Sequence, residues 1–299
     1  MFDDMFISQI YNLISNYLAP GWILDGFQLE RRYAKIHIEM EDSIFKIIMK
    51  ILKLRATREK LQMKRRFDRL AFRYPPLQPN AVYFASANSF EILLGMVRIP
   101  FFNAHLPPAY NYGALGSVAA HEFMHGFDSK GVVYDYKGRI QLISGRPVAW
   151  LSNSSMDVLG KQADCLRQQY DAFCFHDEKY NQYCQNGTIT LAENIADNAG
   201  LQLIYAAYKQ HQQLVGVEEG LPSPFSNYSM DQLFFMSNAR AWCANKTPMY
   251  YIQSLLREDT HALPEFRVNG PMQNMPEFQK AFHCKSGSAM VPKKRCRVW

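Results

Sequence analysis

Apolar residues recur at helical spacing through the first part of the chain. Residues 1–20, MFDDMFISQIYNLISNYLAP, set an apolar stripe among acids and amides and predict an amphipathic helix ending at the break in APGW. A long, highly charged helix is expected from about Asp42. The segment RYPPLQPN (73–80) then places three prolines in eight residues, which no regular element accommodates. This divides the chain into a helical segment, residues 1–79, and a larger region, residues 80–299. The next stretch, NAVYFASANSFEILLGMVRIPFF, is rich in aromatic and β-branched residues and predicts one or two short strands.

Helical spacing then returns. HLPPAYNYGALG reads as a loop leading into a helix of small residues. WLSNSSMDVLGKQADCLRQQY predicts a helix with an Asn/Ser cap running to about Tyr170. CFHDEKYNQYCQNG is polar and loop-like. TLAENIADNAGLQLIYAAYKQHQQL is a strong helix in which Thr190 and Glu193 fit a capping box. Two more helices are expected, around MDQLFFMSNARAWCA and PMYYIQSLLRED, before an irregular end rich in Pro, Gly and Lys. The pattern is mainly α with a small β-sheet, an α+β chain.

With 299 residues, 48% of them hydrophobic, the chain can bury a substantial core. The net charge is +6, and nine Lys/Arg against two acids fall in residues 53–73. That stretch reads as a solvated helix; no aromatic stacking module accompanies it, so no nucleic-acid partner is expected. No apolar run reaches the roughly 18 residues a membrane span needs. The N-terminus lacks the basic flank and unbroken apolar core of a signal peptide. Six cysteines at irregular spacing, all after residue 164, suit disulfides in an oxidising compartment, and Asn153, Asn186, Asn227 and Asn245 head glycosylation sequons. An extracellular location is expected.

The candidate chemistry centres on HEFMH, residues 121–125. A helix of about 3.6 residues per turn puts His121 and His125 on one face, where two imidazoles can share one Zn2+. Glu122 stands beside the metal, placed to take a proton from a water whose pKa the metal lowers to about 7. A third ligand and a supporting carboxylate are needed, and ENIAD supplies candidates. Glu193 and Asp197 lie four apart on one helix face among Ile, Ala and Leu. Glu193 is the candidate third ligand and Asp197 the candidate acceptor for a ligand histidine's other N–H. Asp128 is a second candidate for that supporting role, or a cap for the helix end. In REDTHALPEFRVNG, Asp259 can favour a cationic His261 that would stabilise an oxyanion, and Arg267 can hold a substrate carbonyl or carboxylate.

The ordered blocks NAVY, PFF, HEFMHGFD, ENIADNAG, FFMSNARAWC, DTHALPEFRVNG, FQKAFHC and KKRCRVW closely resemble the neprilysin and endothelin-converting-enzyme family of zinc metallopeptidases, from Asn80 to Trp299. The resemblance implies a thermolysin-like zincin fold with one Zn2+ per chain on His121, His125 and Glu193. It implies Glu122 as general base, Asp197 as orienter, His261 with Asp259 as oxyanion stabiliser, and Arg267 as substrate clamp. It also implies that Asn80 and the backbone of Ala81 bind a peptide main chain, and that Met96, Phe101, Val118 and Trp242 form an apolar pocket for the residue after the scissile bond. The expected activity is an endopeptidase cutting peptides on the amino side of hydrophobic residues. The resemblance pairs Cys165 with Cys296 and sends Cys243 and Cys284 to upstream cysteines absent from this sequence; Cys174 and Cys184 are candidates to bridge each other. Family members are more than twice as long, with a membrane anchor and a helical lobe capping the site. The shorter length raises a second expectation: a fragment, a partial gene model or a truncated, non-catalytic relative that binds peptides or partners.

Overall fold

A computed structural model describes residues 4–65, 67–177, 179, 181–257 and 259–299. Residues 1–3, Arg66, Glu178, Tyr180 and Glu258, which belong to the helices and loop expected above, lie outside these.

The chain opens with α1 (Asp4–Tyr11), β1 (Ile14–Leu18), α2 (Gly26–Tyr33) and α3 (Ile44–Gln62). The single helix expected for residues 1–20 is therefore corrected to a helix and a strand. ISNYL has no strong local preference, and it becomes extended by pairing in parallel with β3 (Ser89–Leu93), Ile14 opposite Ser89 and Leu18 opposite Leu93. The antiparallel partner of β3 on its other side is β2 (Ala81–Phe84), with Ala81 opposite Ile92. Sheet order is β1-β3-β2, so β2 presents a free edge among the described residues. The sheet draws strands from both sides of Asn80.

The segment expected as a loop before HEFMH is helical. α4 (Pro108–Asn111) opens with Pro108, whose missing N–H is no loss in a first turn, and runs through a π-helical turn (Tyr112–Gly116) into α5 (Ser117–Met124). A short hairpin, β4 (Gln141–Ile143) and β5 (Arg146–Val148), precedes α6 (Asn153–Asp171), which Ser152 caps by accepting from the Ser155 N–H. CFHDEKYNQYCQNG holds a second hairpin, β6 (Cys174–Asp177) and β7 (Asn181–Cys184), in place of the expected loop. A disulfide joins its opposed ends, Cys174 and Cys184. Then come α7 (Leu191–Val215), α8 (Met230–Ala241) and α9 (Pro248–Leu256). The tail expected to be irregular carries α10 (Pro264–Gln273) and α11 (Pro276–Phe282); its prolines begin these helices.

Two packed regions flank the middle of the molecule. One gathers Leu159, Leu166 and Tyr170 of α6, Ile195 of α7, Phe266 of α10 and Val298 of the tail. The other gathers Tyr208, Phe234, Phe235 and Phe278 from α7, α8 and α11. A buried amide network ties them to the chain end: Asn274 Nδ2 donates to Asn198 Oδ1 at 2.7 Å, Asn198 Nδ2 donates to the Tyr170 hydroxyl at 3.0 Å, and the Cys296 N–H donates to Asn274 Oδ1 at 2.8 Å. The Cys165–Cys296 disulfide covalently closes the same junction. Between these regions α5 crosses α7 closely. A Cβ on Gly200 would stand 2.9 Å from the His121 backbone nitrogen, so only glycine allows this approach.

Candidate metal centre and cleft

α5 carries His121 as its fifth residue, and His125 follows at its C-cap one turn on. α7 brings Glu193 in its first turn and Asp197 one turn later. Three donor atoms converge. The Nε2 atoms of His121 and His125 are 3.0 Å apart, and Glu193 Oε2 lies 3.2 Å from the first and 3.6 Å from the second. Ligands at 2.0–2.1 Å on a tetrahedral ion are about 3.3 Å from one another, so this spacing fits a single Zn2+. Glu193 Oε2 is buried with no hydrogen-bond partner among the described residues, as expected of an atom whose partner is a cation. One ligand atom from each of these three side chains lies within 4.8 Å of the other two.

The remaining imidazole nitrogens are held from behind. His121 Nδ1 is 2.8 Å from Asp197 Oδ1, and His125 Nδ1 is 2.6 Å from Asp128 Oδ2. Both arrangements leave Nε2 free to face the convergence point, the tautomer a ligand needs. Asp128 also accepts from the backbone N–H groups of Lys130 and Gly131, at 2.7 and 2.6 Å. It therefore supports His125 and caps the chain beyond α5 together.

Arg267, from α10, lines the cleft and also anchors the carboxylate behind His121. Its Nε and Nη2 each donate to Asp197 at 2.8 Å, and its guanidinium lies 3.9 Å from the Trp242 ring centroid. A buried carboxylate requires a counter-charge, and this pairing supplies one. Burial disfavours ionised Asp197, but Arg267 and His121 outweigh it and hold the carboxyl well below its usual range. Burial likewise disfavours charged His121, and Asp197 and Glu193 overcome it, raising the imidazole to about 10. For Glu193, burial is outweighed by His121, His125 and His261, which bring it down to about 2. Without metal, the centre is thus a set of carboxylates sharing a proton on His121.

A cleft of about 610 Å³ opens over these groups. Glu122, buried, lines it beside the donors. His261 reaches the same place, with Nε2 3.4 Å from Glu193 Oε2 and Nδ1 3.1 Å from Asp259 Oδ1. Asn80 and Ala81 line the cleft, as do Met96, Phe101 and Val118, which pack together, and Trp242, which stacks on Arg267. The candidate metal, catalytic and peptide-binding residues all line this cleft except Asp259, which pairs with His261. Sequence reasoning passed over Tyr83, whose ring stands 6.4 Å from that of His125 and whose hydroxyl donates to Asn88 Oδ1 at 3.0 Å. The fully buried Gln9 of α1 also donates to Asn88, at 3.2 Å. Tyr83 shares its strand face with Ala81, so period-two alternation was a usable signal; nothing local marks Gln9.

Comparison with known proteins agrees with this geometry. Residues 80–298 match the model of peptidase family M13. The chain belongs to peptidase family M13. This M13 chain is 36% identical over 282 residues to an endothelin-converting enzyme homolog of Locusta migratoria, covering 94% of this chain and 36% of that protein. It is 34% identical over 272 residues to neprilysin of Homo sapiens, covering 91% of this chain and 34% of that protein. Among solved structures, the Mycobacterium tuberculosis zinc metalloprotease ZMP1 in complex with inhibitor superposes with TM-score 0.80 at 25% identity, over 99% of this chain and 42% of that one. A Haemonchus galactose-containing glycoprotein complex gives TM-score 0.82 at 30% identity, over 99% and 46%. The fold is therefore the α+β zincin type of these metalloproteases. The M13 chain spans about a third of the length of the curated relatives it matches.

The two disulfides are those expected, Cys165–Cys296 and Cys174–Cys184, while Cys243 and Cys284 are free thiols. All four sequon asparagines are exposed. Among the described residues no helix is long and apolar enough to cross a membrane.

Proposed function

We propose that this chain is the catalytic region of a zinc-dependent endopeptidase that cuts peptides on the amino side of hydrophobic residues. The observation that carries the reading is the convergence of His121, His125 and Glu193 on one point, with Glu122 beside it and a carboxylate behind each histidine. When bound, one Zn2+ per chain supplies a Lewis acid that acidifies water and polarises a carbonyl oxygen. Glu122 takes a proton from the attacking water and returns it to the leaving amine. His261, steadied by Asp259, donates to the oxygen that gains charge as the carbonyl is attacked. Asp197 and Asp128 keep the two imidazoles oriented, and Arg267 holds Asp197 while lining the cleft.

The free edge of β2, beginning at Ala81 just after Asn80, accepts the peptide main chain as an added strand. Met96, Phe101, Val118 and Trp242 receive the hydrophobic side chain that follows the cut. Residues 80–299 form the catalytic region, and residues 1–79 lead into it and add β1 to its sheet. Two disulfides and exposed sequons support an extracellular, glycosylated setting.

The test compares zinc content and hydrolysis of a quenched peptide for the wild-type chain and Glu122→Gln. Both should hold one zinc, with hydrolysis lower in the variant by about 10²–10⁴-fold. Equal rates in the two zinc-loaded proteins would overturn the enzyme reading and favour a peptide-binding relative.

A further inference from the structure

The two ends of the cleft differ chemically, and α5 fixes which lies where. Val118 precedes the metal donors along α5, whereas Lys130 follows them. The contacts agree: Val118 packs with Met96 and Phe101, whereas Asp128 bonds both His125 and the Lys130 N–H, and Gly131 packs on the His125 carbonyl. On the peptidase reading, a peptide along the free edge of β2 runs from the apolar residues, across the donors, to the side of His125 where Lys130 lines the cleft.

Lys130 is exposed, and its ammonium enters no ion pair or hydrogen bond among the described residues. The carboxylates near it in sequence are committed elsewhere. Asp128 holds His125 and two backbone amides, and Asp135 holds Arg139 at 2.6 Å. Arg267, the other fixed cation of the cleft, is neutralised by Asp197. Lys130 thus contributes an uncompensated positive charge to this end of the cleft, where a bound peptide would bring its own side chains.

We infer that this end selects acidic side chains, so the preferred peptides carry Asp or Glu within two residues on the amino side of the cut and a hydrophobic residue just after it. The inference rests on the peptidase reading, which assigns the apolar residues to the side chain after the cut.

The zinc-loaded Glu122→Gln chain allows binding to be read without turnover. Three fluorescent peptides that differ only in Asp, Gln or Lys before the scissile position are titrated by anisotropy. The Asp peptide should bind about three- to tenfold more tightly than the Lys peptide at low salt, with Gln between them. The ratio should shrink toward one at about 0.5 M NaCl. Lys130→Glu, an exposed substitution that leaves the donors untouched, should invert the order, and Lys130→Arg should keep it. Equal binding of the Asp and Lys peptides, an order unchanged by Lys130→Glu, or no binding of any peptide each overturns the inference. Failure of the wild-type chain to hydrolyse the Gln peptide, with the binding order as expected, sinks the peptidase reading alone.

Discussion

Asp197→Asn separates the support of the metal centre from the chemistry above it. The carboxylate faces two partners at once: His121 Nδ1 at 2.8 Å and, through both oxygens, Nε and Nη2 of Arg267 at 2.8 Å. Asparagine keeps the shape but removes the charge and one acceptor. Loss of a carboxylate behind a ligand histidine weakens metal binding by about 10–100-fold, or about 1.4–2.7 kcal/mol. Arg267 meanwhile keeps Glu193 at 3.9 Å, with Glu122 nearby, as counter-charge. Leaving a buried charge without its partner costs about 3–5 kcal/mol, and the residual Glu193 contact argues for the lower end. Zinc affinity is read by competition with a chromogenic chelator, and metal-free stability by urea unfolding. The linkage has a definite sign. Asp197 is depressed when folded, so its contribution is present above its unfolded pKa of about 3.9 and is lost as pH falls through the folded value. Wild-type and variant curves should therefore converge in strong acid. Replacing both partners by apolar groups, Asp197→Leu with Arg267→Met, should restore much of the stability and none of the zinc affinity. A variant Asp197→Asn with zinc affinity within about twofold of wild type and an unchanged urea midpoint would refute this account.

Further outcomes follow from the same geometry. His121 is raised to about 10 without metal, so zinc binding near neutral pH should release about one proton and tighten roughly tenfold per pH unit; calorimetry in two buffers of different ionisation heat that found no proton release would contradict this. That raised pKa also means His121 stabilises the metal-free fold fully below about pH 6.5, and the contribution should fade as pH rises through about 10. Removing Cys165–Cys296, which spans 131 residues, should destabilise by about 5 kcal/mol, against about 3 kcal/mol for Cys174–Cys184, which spans 10; urea unfolding of the paired serine variants with the opposite ranking would overturn the loop-entropy argument. Gly200→Ala forces a methyl against the α5 backbone and should cost about 1–3 kcal/mol, visible as a lower melting temperature with weaker zinc retention.

The ligands were legible because their spacing is a property of one helix at a time. His121 with His125, and Glu193 with Asp197, each need only a single turn to be recognised as a pair. Arg267 was legible as a residue but not in its posture. Its partner Asp197 lies 70 residues away, and nothing local reveals that its fork is already engaged. β1 was missed for a similar reason, since its extended form comes from a partner strand about 75 residues downstream. The β6–β7 hairpin looked like a loop because its exposed polar residues mask the pairing that Cys174 and Cys184 close. α10 and α11 fall in the end expected to be irregular, because a proline-rich composition does not show that Pro264 and Pro276 each occupy a first turn. The expected capping box at Thr190 does not form: Thr190 makes no side-chain cap bond, and Glu193 is drawn toward the histidines. Function overrode a local signal there.

The wide sequence separations also bear on how the chain acquires its shape. β1 must find β3, His121 must meet Arg267 146 residues later, and Cys165 must meet Cys296 131 residues later. Such topology folds slowly, because loop closure comes before the contacts that reward it. Residues 121–125 are synthesised long before α10, so on a nascent chain the two histidines exist without Arg267 and with Cys165 still lacking its partner Cys296. A host with an oxidising lumen and disulfide isomerase should therefore yield much more native protein than a reducing cytosol, and the metal centre should be among the last parts of the molecule to mature.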